Sequence, residues 1–200
     1  MSNKPKKSCF IIFILFVFLI VLALALSQWT TSLPKLDLGG FSSKELFKAG
    51  QQKAKEGDLK TAQKYILAAL DKDSTNITYL GELATVKYKL EDYQGALKEY
   101  DKILKTGDYN GFALNGMANI YRDQADKSKD TSQIAQYTKK AYETYQQGIK
   151  DDPKYIALYS NYAIMLISAD KKSEAKKIVE QGIVATGAPE LKQLLKTIQN

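Results

Sequence analysis

From Ser43 onward, apolar positions recur at spacings of three and four, the signature of helices with one apolar face. The pattern repeats at a longer interval. Leu46, Gly50, Asp58, Ala62, Ile66, Leu70 and Asn76 are followed 34 positions later by Leu80, Ala84, Asp92, Ala96, Tyr100, Leu104 and Asn110. A third window opens in register at Gly111, with Leu114 and Ala118, then takes 11 extra residues before Ala141, Tyr145 and Ile149 restore the phase. A fourth window contains Tyr159, Tyr162, Ala163, Ala175, Val179 and Gly182. Self-similarity at this period marks stacked helix pairs, none of which buries its apolar face alone. The expected organisation is four windows over 43–76, 77–110, 111–155 and 156–189, followed by a capping helix over 190–200. That last helix carries Leu191, Leu194, Leu195 and Ile198 on one face.

Punctuation agrees with the period. Gly57, Gly107 and Gly187 fall where helices should stop. Asp58, Asp92 and Ser173 fall near helix starts, where a side-chain oxygen can accept a free backbone N–H. The surplus in the third window centres on Asp126-Lys127-Ser128-Lys129-Asp130-Thr131-Ser132, a wholly polar run read as a solvated helix extension and loop.

Large and small residues alternate in the order of the tetratricopeptide repeat, and Glu56-Gly57-Asp58-Leu59 through Ala62, with Ala69-Leu70, is the best single match. Across 43–189 the chain resembles that family, although only Pro153 keeps the turn proline and Leu46, Leu80, Leu114 or Tyr159 stands for the usual tryptophan. The resemblance implies an all-α, right-handed superhelix whose first helices line a concave, partner-binding face. Carried over position by position, that face would take Lys44, Phe47, Lys48, Gln51 and Lys55 from the first window and Thr78, Glu82, Thr85, Tyr88 and Lys89 from the second. The third would add Phe112, Asn115, Asn119, Arg122 and Asp123, and the fourth Ser160, Asn161, Ile164 and Ile167. In peptide-binding members Asn119 and Asn161 would clamp a partner's main chain or terminal carboxylate. The other clamp positions depart, with Asn115 in place of a lysine and Leu191 and Leu195 in place of basic residues. The expectation is therefore a looser peptide groove of Asn115, Asn119, Asn161, Arg122, Phe112 and Tyr88. The alternative is that the asparagines only solvate this face or bond across helices.

Upstream, the pattern changes kind. Cys9–Leu26 is a run of 18 apolar residues without a charge, glycine or proline. As a helix it is roughly 27 Å long, about the thickness of a bilayer's hydrocarbon core. It is read as a transmembrane anchor contacting lipid. Cleavage after the small-x-small Ala23-Leu24-Ala25, giving a secreted chain, is the alternative. Lys4, Lys6 and Lys7 lie in the basic flank 1–8, and the positive-inside rule then places the N-terminus in the cytoplasm and the repeats outside it. Residues 27–42, with Pro34 and Gly39-Gly40, read as a linker.

Composition narrows the chemistry. The net charge is +7, falling to +4 without the three N-terminal lysines, and no basic stripe interleaved with aromatics suggests nucleic acid. Histidine is absent and Cys9 is the single cysteine, so triads built on histidine and His or Cys metal sites are excluded. No phosphate-binding loop is present, and no cofactor or enzymatic activity is expected. The reading is a membrane-anchored interaction module, an adaptor for an envelope or secretion assembly, with a protein or extended peptide as partner. A membrane-tethered chaperone for exported chains, similar in layout to the accessory subunit of the bacterial Sec translocon, is the alternative.

Overall fold

The computed structural model describes residues 39–199. They contain the helices α1 (Ser43–Lys55), α2 (Leu59–Lys72), α3 (Ile77–Lys89), α4 (Tyr93–Leu104), α5 (Asn110–Lys127), α6 (Thr131–Asp151), α7 (Ile156–Ser168), α8 (Lys172–Thr186) and α9 (Pro189–Gln199). The apolar run 9–26 lies outside the described residues, and among those described no helix is long and apolar enough to cross a membrane.

Helix starts follow from side-chain chemistry. Ser42 and Glu45 form a reciprocal capping box at α1. Asp58, Asn76 and Asp92 each accept a backbone N–H at the starts of α2, α3 and α4. Asp130 accepts two, from Ser132 and Gln133, at α6. Ser173 does not cap: it lies inside α8, whose preceding residue, Lys171, makes no side-chain cap bond. The reason is the turn before it. Asp170 is left-handed at φ 59°, and the Lys171 N–H reaches back to the Leu166 carbonyl at 2.8 Å, so the helix begins before Ser173.

The same turn closes three of the four pairs. Gly57 (φ 84°), Glu91 (φ 62°) and Asp170 occupy its left-handed position. The following N–H bonds back to Lys53, Lys87 or Leu166. Only Gly57 adopts this conformation without crowding its own side chain. The third pair differs: α5 and α6 run on and are joined by Ser128, Lys129 and Asp130.

Packing repeats with the sequence. Ala62, Ala96, Ala141 and Ala175 are fully buried, and Ile66, Tyr100, Tyr145 and Val179 follow one turn later on the same faces. Small residues let helices approach; large ones fill the space that remains. Gly116 illustrates the tolerance, since a Cβ there would sit 2.3 Å from the Tyr100 ring. At the C-terminal end Leu191 is fully buried, and Leu194, Leu195 and Ile198 pack partly buried against the same core.

Stacking then sets the curvature. Successive first helices touch, α1 with α3, α3 with α5, α5 with α7 and α7 with α9. The second helices α2, α4, α6 and α8 keep their backbones apart. A row in mutual contact beside a row splayed apart is the inner row of a curved stack, so the first helices form the concave face.

Candidate peptide groove on the first-helix face

Tyr88, Phe112, Asn115, Asn119, Arg122 and Asn161 all lie on the first helices α3, α5 and α7. The structure links most of them to one another or to the second helices. Asn161 Nδ2 donates to Asn115 Oδ1 at 2.9 Å, joining α7 to α5 across the groove floor. Tyr145 Oη, on α6, donates to Asn119 Oδ1 at 2.6 Å. Tyr88 Oη donates to Asp123, whose other oxygen accepts from Arg122 Nη2 at 3.1 Å. Phe112 meets Tyr100 edge-on, with ring centres 5.7 Å apart, and lies over Gly81.

The asparagines thus bond across helices, yet they keep capacity. A side-chain amide offers two donors and a carbonyl oxygen. Asn119 uses its oxygen on Tyr145, leaving its NH2 group; Asn161 uses one N–H on Asn115, leaving its oxygen and another N–H. Asn115 is 9% exposed and serves as the anchor for Asn161. The carryover fails at Phe47, which is buried and stacked on Tyr79 at 4.3 Å, making it core. Leu191 is also core, so the position where a clamp would need a basic residue is closed to a ligand.

Electrostatics hold these links in one state. Burial, then the bond to Asp123, pushes the Tyr88 phenol well above its ordinary value. Burial pushes Tyr145 up to about 12. Burial pulls Arg122 down, but Tyr145 and Asp123 outweigh it and the guanidinium stays charged. Both phenols therefore remain protonated donors throughout the physiological range.

Two hollows open on this face. One of about 270 Å³, between α3 and the start of α5, is lined by Gly81, Glu82, Thr85 and Phe112, with Tyr109 at its edge, 65% exposed. The other, of about 210 Å³, lies beyond Arg122 and is lined by Ala125, Tyr142, Ile164 and Met165. Sequence reading missed Tyr145 as the residue that orients Asn119. Its signal was present: a buried tyrosine needs a partner for its hydroxyl. Tyr109 and Tyr142 were also missed, because each reaches the face from a helix boundary or a second helix. The arrangement can bind amides and apolar side chains. Among the described residues, no group of three or more His, Cys, Asp or Glu is placed to hold a metal ion.

No family model and no curated protein matches this sequence. Among solved structures, the chain is similar to a thermophilic TPR protein of Thermus thermophilus, with a TM-score of 0.64 and 17% identity over 78% of this chain and 81% of that one. It is similar to pilF of Pseudomonas aeruginosa, with a TM-score of 0.57 and 18% identity over 78% and 67% of the two chains. A tetratricopeptide repeat protein of Parabacteroides merdae gives a TM-score of 0.55 and 19% identity over 78% and 58%. At such identities the likeness is one of fold. The described residues form an all-helical TPR superhelix.

Proposed function

We propose that this chain is a non-catalytic, membrane-anchored interaction module whose first-helix groove holds an extended protein segment outside the cytoplasm, within an envelope or secretion assembly. One observation carries the binding reading: Asn119 is oriented by Tyr145 so that its NH2 group is left for a partner on the inner face. Asn161, positioned by Asn115, lies on the neighbouring first helix with spare donor and acceptor groups. Groups held in place before binding lose little freedom when a peptide arrives, so their hydrogen bonds count toward affinity. The anchor reading rests on the apolar run 9–26 and its basic flank. Tethering would raise the groove's effective concentration at the membrane.

Photo-crosslinking in living cells tests the groove. A photoreactive residue at Lys89, an exposed position on α3, should give one dominant protein adduct that weakens in Asn119→Ala and Asn161→Ala. A smear of exported proteins would instead mark a tethered chaperone, and no adduct would sink the groove reading. Topology is tested separately at Phe41, which is 52% exposed and outside the capping box. A cysteine introduced there should react with a membrane-impermeant thiol reagent in cells, or in spheroplasts if there is an outer membrane. Protection would overturn the orientation.

A further inference from the structure

The surplus length of the third pair makes a wall. α5 has 18 residues, whereas α1, α3 and α7 have 13 each. The extra turn projects past the end of α7 and is fastened on one side only. Toward the preceding pair, Lys127 Nζ lies 2.7 Å from both Glu91 Oε1 and Tyr93 Oη, and Asp123 takes the Tyr88 hydroxyl. Toward the following pair it leaves the hollow of about 210 Å³. Met165, Ala169 and Tyr142 line that hollow with the hydroxyl-bearing Thr138 and Ser168, and Ile164 stands at its mouth, 47% exposed on the concave face.

Size and charge select the occupant. Pockets that enclose whole small molecules run from about 300 to 1,000 Å³, so this one suits a single side chain. Arg122 is matched by Asp123 at 3.1 Å and Lys171 by Glu174 at 3.4 Å, so neither cation is left over for a carboxylate. Asp126, exposed at the rim, makes no ion pair among the described residues. That balance admits an apolar side chain and favours a basic neighbour.

We propose that this hollow is a specificity pocket of the groove, taking one large apolar side chain (leucine, methionine or phenylalanine) of an extended partner segment, with a lysine or arginine beside it facing Asp126. The assignment rests on the groove reading of the preceding subsection and adds which sequences that groove selects. It also gives the insertion a role: the overhang of α5 supplies Ala125 and Asp126, which a pair of ordinary length would lack.

The test uses the full chain in detergent micelles and a library of randomised 12-residue peptides, read before and after Ser168→Trp. Ser168 lines the hollow from the exposed end of α7, so a large side chain there should fill it without disturbing the core. The unmodified chain should enrich peptides with a large apolar residue roughly tenfold over those with serine or glutamate in its place. Ser168→Trp should erase that preference while leaving residual peptide binding that Asn119→Ala reduces. Asp126→Lys should change only the neighbour, reversing a few-fold preference for lysine over glutamate, as exposed charges do. Ile164→Ser serves as a second variant, on an exposed side chain, and should weaken the apolar preference. An apolar preference unchanged by both Ser168→Trp and Ile164→Ser would overturn the pocket and leave the groove standing. No peptide bound by the unmodified chain would overturn the groove and the pocket together.

Discussion

In the second pair, α3 and α4 are 13 and 12 residues long and are clasped by a buried ion cluster. Glu99, 3% exposed, accepts from Lys87 at 2.7 Å and Lys102 at 2.6 Å. In the third pair, α5 and α6 are 18 and 21 residues long and are clasped by Tyr145, which bonds Asn119 and stacks on Tyr162 at 5.4 Å. Yet the packing positions correspond: Leu80, Ala84, Ala96 and Tyr100 in one, Leu114, Ala118, Ala141 and Tyr145 in the other, all buried. Extra length is therefore accommodated at the hairpin tip, where only neighbouring tips must adapt. It is rejected in the body, where each residue is fixed by two neighbouring pairs. A solenoid can thus acquire a new surface feature without repacking its core.

The largest effect that sharpens this comparison is expected at the shared aromatic position. Tyr145→Ala and Tyr100→Ala should each lose about 3–5 kcal/mol by urea denaturation, because both leave a cavity between helices. A loss near zero at Tyr145 would mean that the third pair is not packed like the second.

Next is the ion cluster that clasps the second pair. Glu99→Gln should cost about 3 kcal/mol, since it strands Lys87, whose side chain is only 13% exposed. Burial pushes the Glu99 carboxyl up, but the hydrogen bonds from Lys102 and Lys87 outweigh it and hold it below its ordinary value. Its contribution is then complete above the unfolded carboxylate range and lost as the pH falls through the lower folded value. The gap between Glu99→Gln and the parent should be constant from about pH 6 to 8 and close below about pH 4. A gap that survives in acid would mean the glutamine variant loses packing rather than charge.

Asn76 and Asn110 occupy the same repeat position and do different things. Asn76 caps α3 by accepting from the Tyr79 N–H at 3.2 Å. Asn110 is the first residue of α5, and its buried Oδ1 has no partner among the described residues. Asn76→Ala should cost about 1 kcal/mol in thermal or urea unfolding, whereas Asn110→Ala should be neutral or slightly stabilising. Equal losses at both would contradict the difference in helix starts.

The smallest effects should lie at the turns and the tip. Asp170→Gly should gain up to about 1 kcal/mol by relieving a left-handed residue, a gain with no counterpart in the third pair, where the turn is absent. Removing one helical turn from each arm of the α5–α6 tip, with Ser128, Lys129 and Asp130 kept, should lower the urea midpoint far less than Tyr145→Ala. Deleting 126–132 outright would remove the connection itself, because that span includes all three loop residues.

Much of the fold was legible in the chain. Periodicity located the helix pairs, the small and large positions of the core, and the stops at Gly57, Gly107 and Gly187, all left-handed at φ 71–84°. These depend on local chemistry or on a pattern each pair repeats, so one dimension suffices to read them. Which asparagine bonds across helices and which keeps a free amide depended on neighbours 26 to 46 residues away, such as Tyr145 for Asn119 and Asn115 for Asn161. Phe47, a groove residue by position, turned inward because Tyr79 offered its ring a face. The polar run 126–132 was recognisable as surplus. Only the stacking of three pairs decided that one side of it would be fastened by Lys127 and the other left open above Ile164 and Met165. Local sequence sets where a helix begins and which face is apolar. The use of each remaining polar group is settled by the partner that packing brings within hydrogen-bonding distance.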